Sequence, residues 1–491
     1  MRHVLFSAGL LLGPAVLGAQ QAAPTTLSLA DAIAIARDQN PTYRQALNNR
    51  GPAGWGVRNA YSSLLMPSVT TAAGMSYTGA GSQTFLSSSF SQSVSTVSSF
   101  YDLSLSWQLS GTTLSQPPLA KAQQHAADAD IAGAANALVT GITQQYLTVL
   151  QTRDQAELAR KTLARNEEFL KLAQARFNVG QATLIDVRQA QVARGQAEVA
   201  LLRAQTLVSV EKLRLFEQMG VTAPIDIAAV QLTDTFAIGV AAPPLPDLLS
   251  MAEQQNPALA ALRARERAAA WGVRAATSTY GPSVSLSAGW SGFTQQFTDV
   301  DPIMQSQQFA FGQQKTACDQ DNVIRANNSV PLLDCSRYVW GSQNEADLRA
   351  ANSVFPFDFT RQPFQARLTI SLPIFTNFSR TLRVSEARAQ HGDLEEAVRA
   401  RGLAVQTEVS QAFLTLQTAI RTIGLQDTNR AAAREQLQLG TERYRVGSGT
   451  FFELLDAQVA ALRAENDYVN AIYDYHKALA ALEAAVGRPL R

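Results

Sequence analysis

Four stretches of the chain alternate strictly between apolar and polar positions. Val284, Leu286, Ala288 and Trp290 interleave with Ser283, Ser285, Ser287 and Gly289. From Phe364 to Ile374, Ala366, Leu368 and Ile370 stand opposite Gln365, Arg367 and Thr369. Val69, Thr71, Ala73, Met75 and Tyr77 make a third stripe, and Tyr101, Leu103, Leu105, Trp107 and Leu109 a fourth. A period of two predicts strands with one apolar face and one face of Ser, Thr, Gly, Gln or Asp. Elsewhere the pattern is helical. No proline occurs from Leu119 to Ala223 or from Ile374 to Arg488, which permits very long helices. Leu455, Val459, Leu462, Val469, Ile472, Leu479, Leu482 and Val486 step as a coiled-coil seam. A helix from Leu119 to Phe177 would reach about 90 Å, against ~45–50 Å for a compact globule of this length, so an elongated molecule is expected.

The order repeats. Asn40-Pro41 and Trp55-Gly56-Val57-Arg58 return as Asn256-Pro257 and Trp271-Gly272-Val273-Arg274, at an offset of 216. Arg176-Phe177-Asn178-Val179-Gly180-x-x-Thr183 returns as Arg443-Tyr444-Arg445-Val446-Gly447-x-x-Thr450, at 267. Matched landmarks in matched order predict a duplication. The expected repeats are 20–221 and 247–491, joined by a Pro-containing linker at 222–246. The second carries about 51 extra residues, expected as an outward loop at about 293–363.

Met1-Arg2-His3, the apolar run Val4 to Leu17, and small Gly18 and Ala19 read as an export signal over 1–19. The run is too short for a membrane anchor, and no cysteine near the cleavage site suggests a lipid. Lys+Arg 41 against Asp+Glu 40 leaves no basic field, so nucleic acid is not an expected partner. Two cysteines exclude a disulfide-built scaffold. His3 lies in the signal, and His125, His391 and His476 show no second ligand at metal spacing in the sequence. No nucleophile elbow, HExxH or phosphate loop occurs, so neither enzyme activity, a metal nor a cofactor is expected.

Strands with one apolar and one wet face suit a membrane barrel or a soluble sheet packed on helices. Four strands cannot close a barrel, and open edges cannot face lipid, so a barrel needs several chains. Tyr77, Tyr101, Trp107 and Trp290 would be its interface aromatics.

The signal, the repeats, two strands per half and the paired Arg-(Phe/Tyr)-x-Val-Gly-x-x-Thr turns together resemble the TolC-like outer membrane efflux family, over about 25 to 488. The resemblance implies a mainly α protein with a membrane β-barrel. It implies an elongated homotrimer, four strands per chain in a shared 12-strand barrel, continued by an α-helical barrel in the periplasm. It also implies an exit duct for a tripartite efflux pump or type I secretion system, in the outer membrane and its lipid. The partners would be a periplasmic adaptor and an inner-membrane pump of RND, ABC or MFS type.

Val179, Gly180, Thr183, Val446, Gly447 and Thr450 would form the adaptor-docking tip turns. As local structure, the glycines end helices, and Thr183 with Asp186 and Thr450 with Glu453 start the next. Carried over by position, Glu453 and Asp456 match the acidic residues of the periplasmic constriction. Asp186 and Tyr444 match a latch expected to use a hydrogen bond between them, while the latch's basic position is Gly449 here. Cys318 and Cys335, both in the outward loop of an exported chain, are expected to pair. The first-half loop, Gly79 to Ser99, is expected to be short and mobile. The alternative is a periplasmic coiled-coil scaffold or adhesin without a pore.

Overall fold

The computed structural model describes residues 26–85, 88–239 and 243–490. The expected export signal lies outside them. The first half gives β1 (Thr26–Leu27), α1 (Leu29–Gln39), α2 (Pro41–Asn48) and α3 (Arg50–Leu65). Four strands follow: β2 (Ser68–Thr78), β3 (Gly81–Phe85), β4 (Ser88–Ser93) and β5 (Thr96–Ser110). Then come α4 (Gly111–Asn178), α5 (Leu184–Met219) and β6 (Gln231–Leu232). The second half gives α6 (Leu245–Gln255), α7 (Pro257–Ser278), β7 (Ser283–Phe297), α8 (Asp301–Asn327) and α9 (Ser342–Ala351). It closes with β8 (Thr360–Arg361), β9 (Gln365–Ser371), α10 (Ser379–Val446) and α11 (Phe451–Val486). The long helices match in length across the halves: α4 and α10 have 68 residues each, α5 and α11 have 36.

The chain divides into two compact units, each drawing on both halves. One holds residues up to Trp55, Lys121–Ala270 and the chain from Ala389; the other holds Gly56–Ala120 and Trp271–Arg388. The spatial division thus cuts across the sequence halves.

The first unit is helical, with three apolar clusters. One gathers Leu27, Ile142, Tyr146, Leu150, Leu215 and Phe216. The second gathers Leu248, Val405, Val409, Leu416, Tyr475 and Leu482. The third holds Phe169, Ala173, Val187, Tyr444, Leu454 and Ala457. The connector after α5 is tied in here, because β1 and β6 pair in parallel and the Tyr146 hydroxyl donates to the Leu27 carbonyl. The expected seam of α11 holds at Leu479, Leu482 and Val486, which are buried. Nearer the tip it is displaced: Leu454, Ala457, Ala461 and Ala464 are buried while Val459 is exposed. The close-packed face there is made of alanines, which a search for large apolar residues passes over.

The second unit carries the sheet, in the order β2-β5-β7 with β8 and β9 pairing β7, all antiparallel. The register sets Val69, Leu105, Ala288 and Ala366 side by side on one face. Ser68, Ser106, Ser287 and Arg367 line up on the other. β7 runs to Phe297, so it takes in the expected start of the outward loop, and β9 stops at Ser371 rather than Ile374. That segment is not irregular. It builds the helices α8 and α9, and Cys318 on α8 is disulfide-bonded to Cys335 with Cα atoms 5.8 Å apart. The first-half loop contains the β3–β4 hairpin.

Candidate functional site

The two helical turns come together in the first unit. Gly180 (φ 74°) and Gly447 (φ 85°) take the left-handed conformation that glycine adopts without strain. Each ends its long helix with the paired backbone bonds of a Schellman turn: Gln181 N–H to Arg176 and Gly180 N–H to Phe177, then Ser448 N–H to Arg443 and Gly447 N–H to Tyr444. Thr183 starts α5 in a full capping box. Its hydroxyl accepts from Asp186 N–H, and the Asp186 carboxylate accepts from Thr183 N–H at 2.8 Å. Thr450 caps α11 in the same way, accepting from Glu453 N–H at 3.2 Å. The Glu453 carboxylate instead sits 3.6 Å from the Arg443 guanidinium.

Asp186 and Tyr444 do not form the expected hydrogen bond. The Tyr444 ring is buried, and its hydroxyl has no partner among the described residues. Asp186 is occupied by its cap. Burial raises the Tyr444 pKa first, and the Asp186 charge adds to this against an opposing effect of Arg176. The contact that joins the two turns is Arg176. Its guanidinium donates to the Tyr444 carbonyl and, at 3.0 Å, to the Gln181 carbonyl, and lies 4.5 Å from the Tyr444 ring centre. In the sequence Arg176 stands only as one position of a repeated motif, with nothing to mark its role. The register of two turns 267 residues apart is what shows its contacts.

Around this clasp the tips are apolar and open. Val179, Val446 and Phe452 are exposed, as are Leu184 and Ile185, and a groove runs between the starts of α5 and α11 beside Arg188 and Leu455. Asp456 and Glu453 are exposed, one helical turn apart, and Asp456 has no ion-pair partner among the described residues.

In the sheet, Leu109 to Tyr101 gives nine residues with one apolar stripe, the length a tilted strand needs to cross a bilayer core. Trp290 is exposed and packs on Phe364 with ring centres 4.8 Å apart. Tyr101 meets Phe359 edge-on at 4.9 Å, and Tyr77 is exposed. Trp107 lies toward the helical end of its strand, where its indole N–H donates to the Leu64 carbonyl at 3.0 Å. The opposite face is a ladder of hydroxyl pairs, Ser68–Ser106, Thr70–Ser104, Ser76–Ser98 and Ser283–Ser371, each at 2.7 or 2.8 Å. Phe100 and Phe293, facing each other in register, interrupt this polar face. No helix among the described residues is long and apolar enough to cross a membrane.

Residues 32–221 and 341–488 match the family described as outer membrane efflux protein. This chain belongs to that family. The family is one of transport channels of the outer membrane and not of enzymes. The chain is 23% identical to the outer membrane efflux protein BepC of Brucella suis over 67% of its own length and 60% of BepC. It is 22% identical to the outer membrane protein TolC of Vibrio cholerae over 96% of its length and 93% of TolC. Its fold is similar to that of the outer membrane protein VceC of Vibrio cholerae, with a TM-score of 0.67 at 19% identity, covering 94% of this chain and 97% of VceC.

His391 corrects one sequence expectation. It does have acidic neighbours: Glu266, from α7, and Glu395, one turn on along α10.

Proposed function

We propose that three copies of this chain build one channel-tunnel, the exit duct of a tripartite efflux pump or a type I secretion system. The sheet carries this reading. Its edges, β2 and β9, have no strand partner on their outer sides among the described residues, yet one face is apolar over a bilayer's depth. Three copies would supply twelve strands and leave no open edge. The apolar stripe then faces lipid and the hydroxyl ladder lines the lumen. The long helices would continue the duct in the periplasm. The exposed apolar tips fit an adaptor that links the duct to an inner-membrane pump of RND, ABC or MFS type. Asp456, with Glu453, would line the narrow periplasmic opening, where repeated carboxylates favour cations. Because Arg443 offsets Glu453, Asp456 is the stronger contributor.

The mass of the detergent-extracted protein tests the assembly. Three chains per particle are expected, from outer-membrane fractions only. A folded monomer released from membranes by salt alone would favour a periplasmic scaffold instead.

A further inference from the structure

α10 carries His391 and Glu395 four residues apart, on one helical face. α7 brings Glu266 to the same point. His391 Nε2 is 2.9 Å from Glu266 Oε1, and Nδ1 is 3.8 Å from Glu395 Oε1. One ligand atom from each residue lies within 4.8 Å of the other two. The imidazole and the Glu266 carboxylate are about one-quarter exposed, at 24% and 27%. Of the nearby guanidinium groups four are engaged elsewhere, and Arg388, one turn before His391 on α10, makes no ion pair with Glu266 or Glu395 among the described residues. Arg263 reaches Glu253, Arg265 reaches Asp130, Arg267 bonds a backbone carbonyl and Arg399 reaches Glu396. Neither Glu266 nor Glu395 has a Lys or Arg partner among the described residues. The trio thus offers one imidazole and two carboxylates that no Lys or Arg side chain takes up among the described residues.

We propose that Glu266, His391 and Glu395 form a binding site for one divalent transition-metal ion of the zinc class, which braces α7 against α10. Zinc takes imidazole nitrogen at ~2.0–2.1 Å and carboxylate oxygen at ~2.0–2.2 Å, so tetrahedral ligand atoms stand about 3.4 Å apart. The three side chains reach that spacing by shifts of about an ångström, within ordinary side-chain rotation. Metal–ligand bonds then replace the direct His391–glutamate contacts. A mixed nitrogen and oxygen set suits zinc better than magnesium or calcium, which take oxygen ligands. Glu395 is the most exposed of the three, so water can reach the ion and complete its shell.

The test uses the full-length mature protein in detergent, without a polyhistidine tag, stripped with chelator and titrated with zinc chloride by calorimetry. One zinc ion per chain is expected, with a Kd of about 1–10 µM. His391→Ala and Glu266→Gln should each weaken binding by at least about tenfold. Glu395 is 59% exposed, so Glu395→Gln tests the site with little risk to folding, and the same loss is expected there. Circular dichroism identifies any variant that has lost its fold, and the result is then read from Glu395→Gln. No zinc binding by the folded wild type below about 100 µM overturns the proposal, as does wild-type affinity in Glu395→Gln.

Discussion

Tyr444 is covered by the Arg176 guanidinium on one face and by Phe451 on another, and its hydroxyl has no hydrogen-bond partner among the described residues. A buried hydroxyl without a partner weakens a fold, so its removal costs nothing and relieves desolvation. Arg176 is the opposite case, since it satisfies carbonyls on both turns. Tyr444→Phe is therefore expected to be neutral or stabilising by up to about 1 kcal/mol, and Arg176→Ala destabilising by about 1–3 kcal/mol. Hydrogen exchange at the two turns separates them. Arg176→Ala should speed exchange there by about tenfold or more, and Tyr444→Phe should not. The reverse order would restore Tyr444 as the latch and remove Arg176.

At the scale of elements, strands and long helices are legible in the sequence because their periods are strong. A two-residue alternation over nine positions fits a strand and little else, and proline-free runs longer than a hundred residues leave the helices room. Turns are legible because glycine and threonine do distinct physical work there. Other features are hidden, each for a physical reason. α8 lacks an apolar stripe, since much of its surface is exposed, so periodicity cannot find it. The tip half of the α11 seam is built from alanines. The Arg176 clasp joins residues from distant parts of the chain, and so does Glu266 in the His391 cluster, which no local pattern encodes; only the four-residue spacing of His391 and Glu395 stands in the sequence. The docking of the connector on α4 is equally unreadable, and it makes a pH prediction. Burial pushes the Tyr146 hydroxyl up to about 12, above the ~10 of an unfolded chain. A folded value above the unfolded one means that this contribution is complete below about pH 10 and is lost as pH rises toward 12. Tyr146→Phe should cost about 1 kcal/mol at pH 8, through the lost bond to Leu27, yet decline less steeply between pH 10 and 12. Denaturant melts at pH 8 and pH 11 check this; an equal decline in both proteins would contradict it.

For the whole molecule, neither compact unit belongs to one sequence half. Each takes matching segments from both, so the repeat supplies two helical turns to one unit and two strand pairs to the other. The same duplication therefore furnishes a sheet with two open edges and a pair of tips with carboxylates beside them. The central claim is that these parts belong to one conducting duct, constricted at the tips. Planar-bilayer conductance of the detergent-purified protein tests it most directly, beside Asp456→Ala, Glu453→Ala and the double variant. The account predicts small, cation-selective openings. It predicts that selectivity falls by roughly threefold in Asp456→Ala, less in Glu453→Ala, and most in the double variant. Protein that is folded and trimeric but opens no channels would contradict the duct itself; channels with unchanged selectivity in the double variant would contradict the acidic constriction.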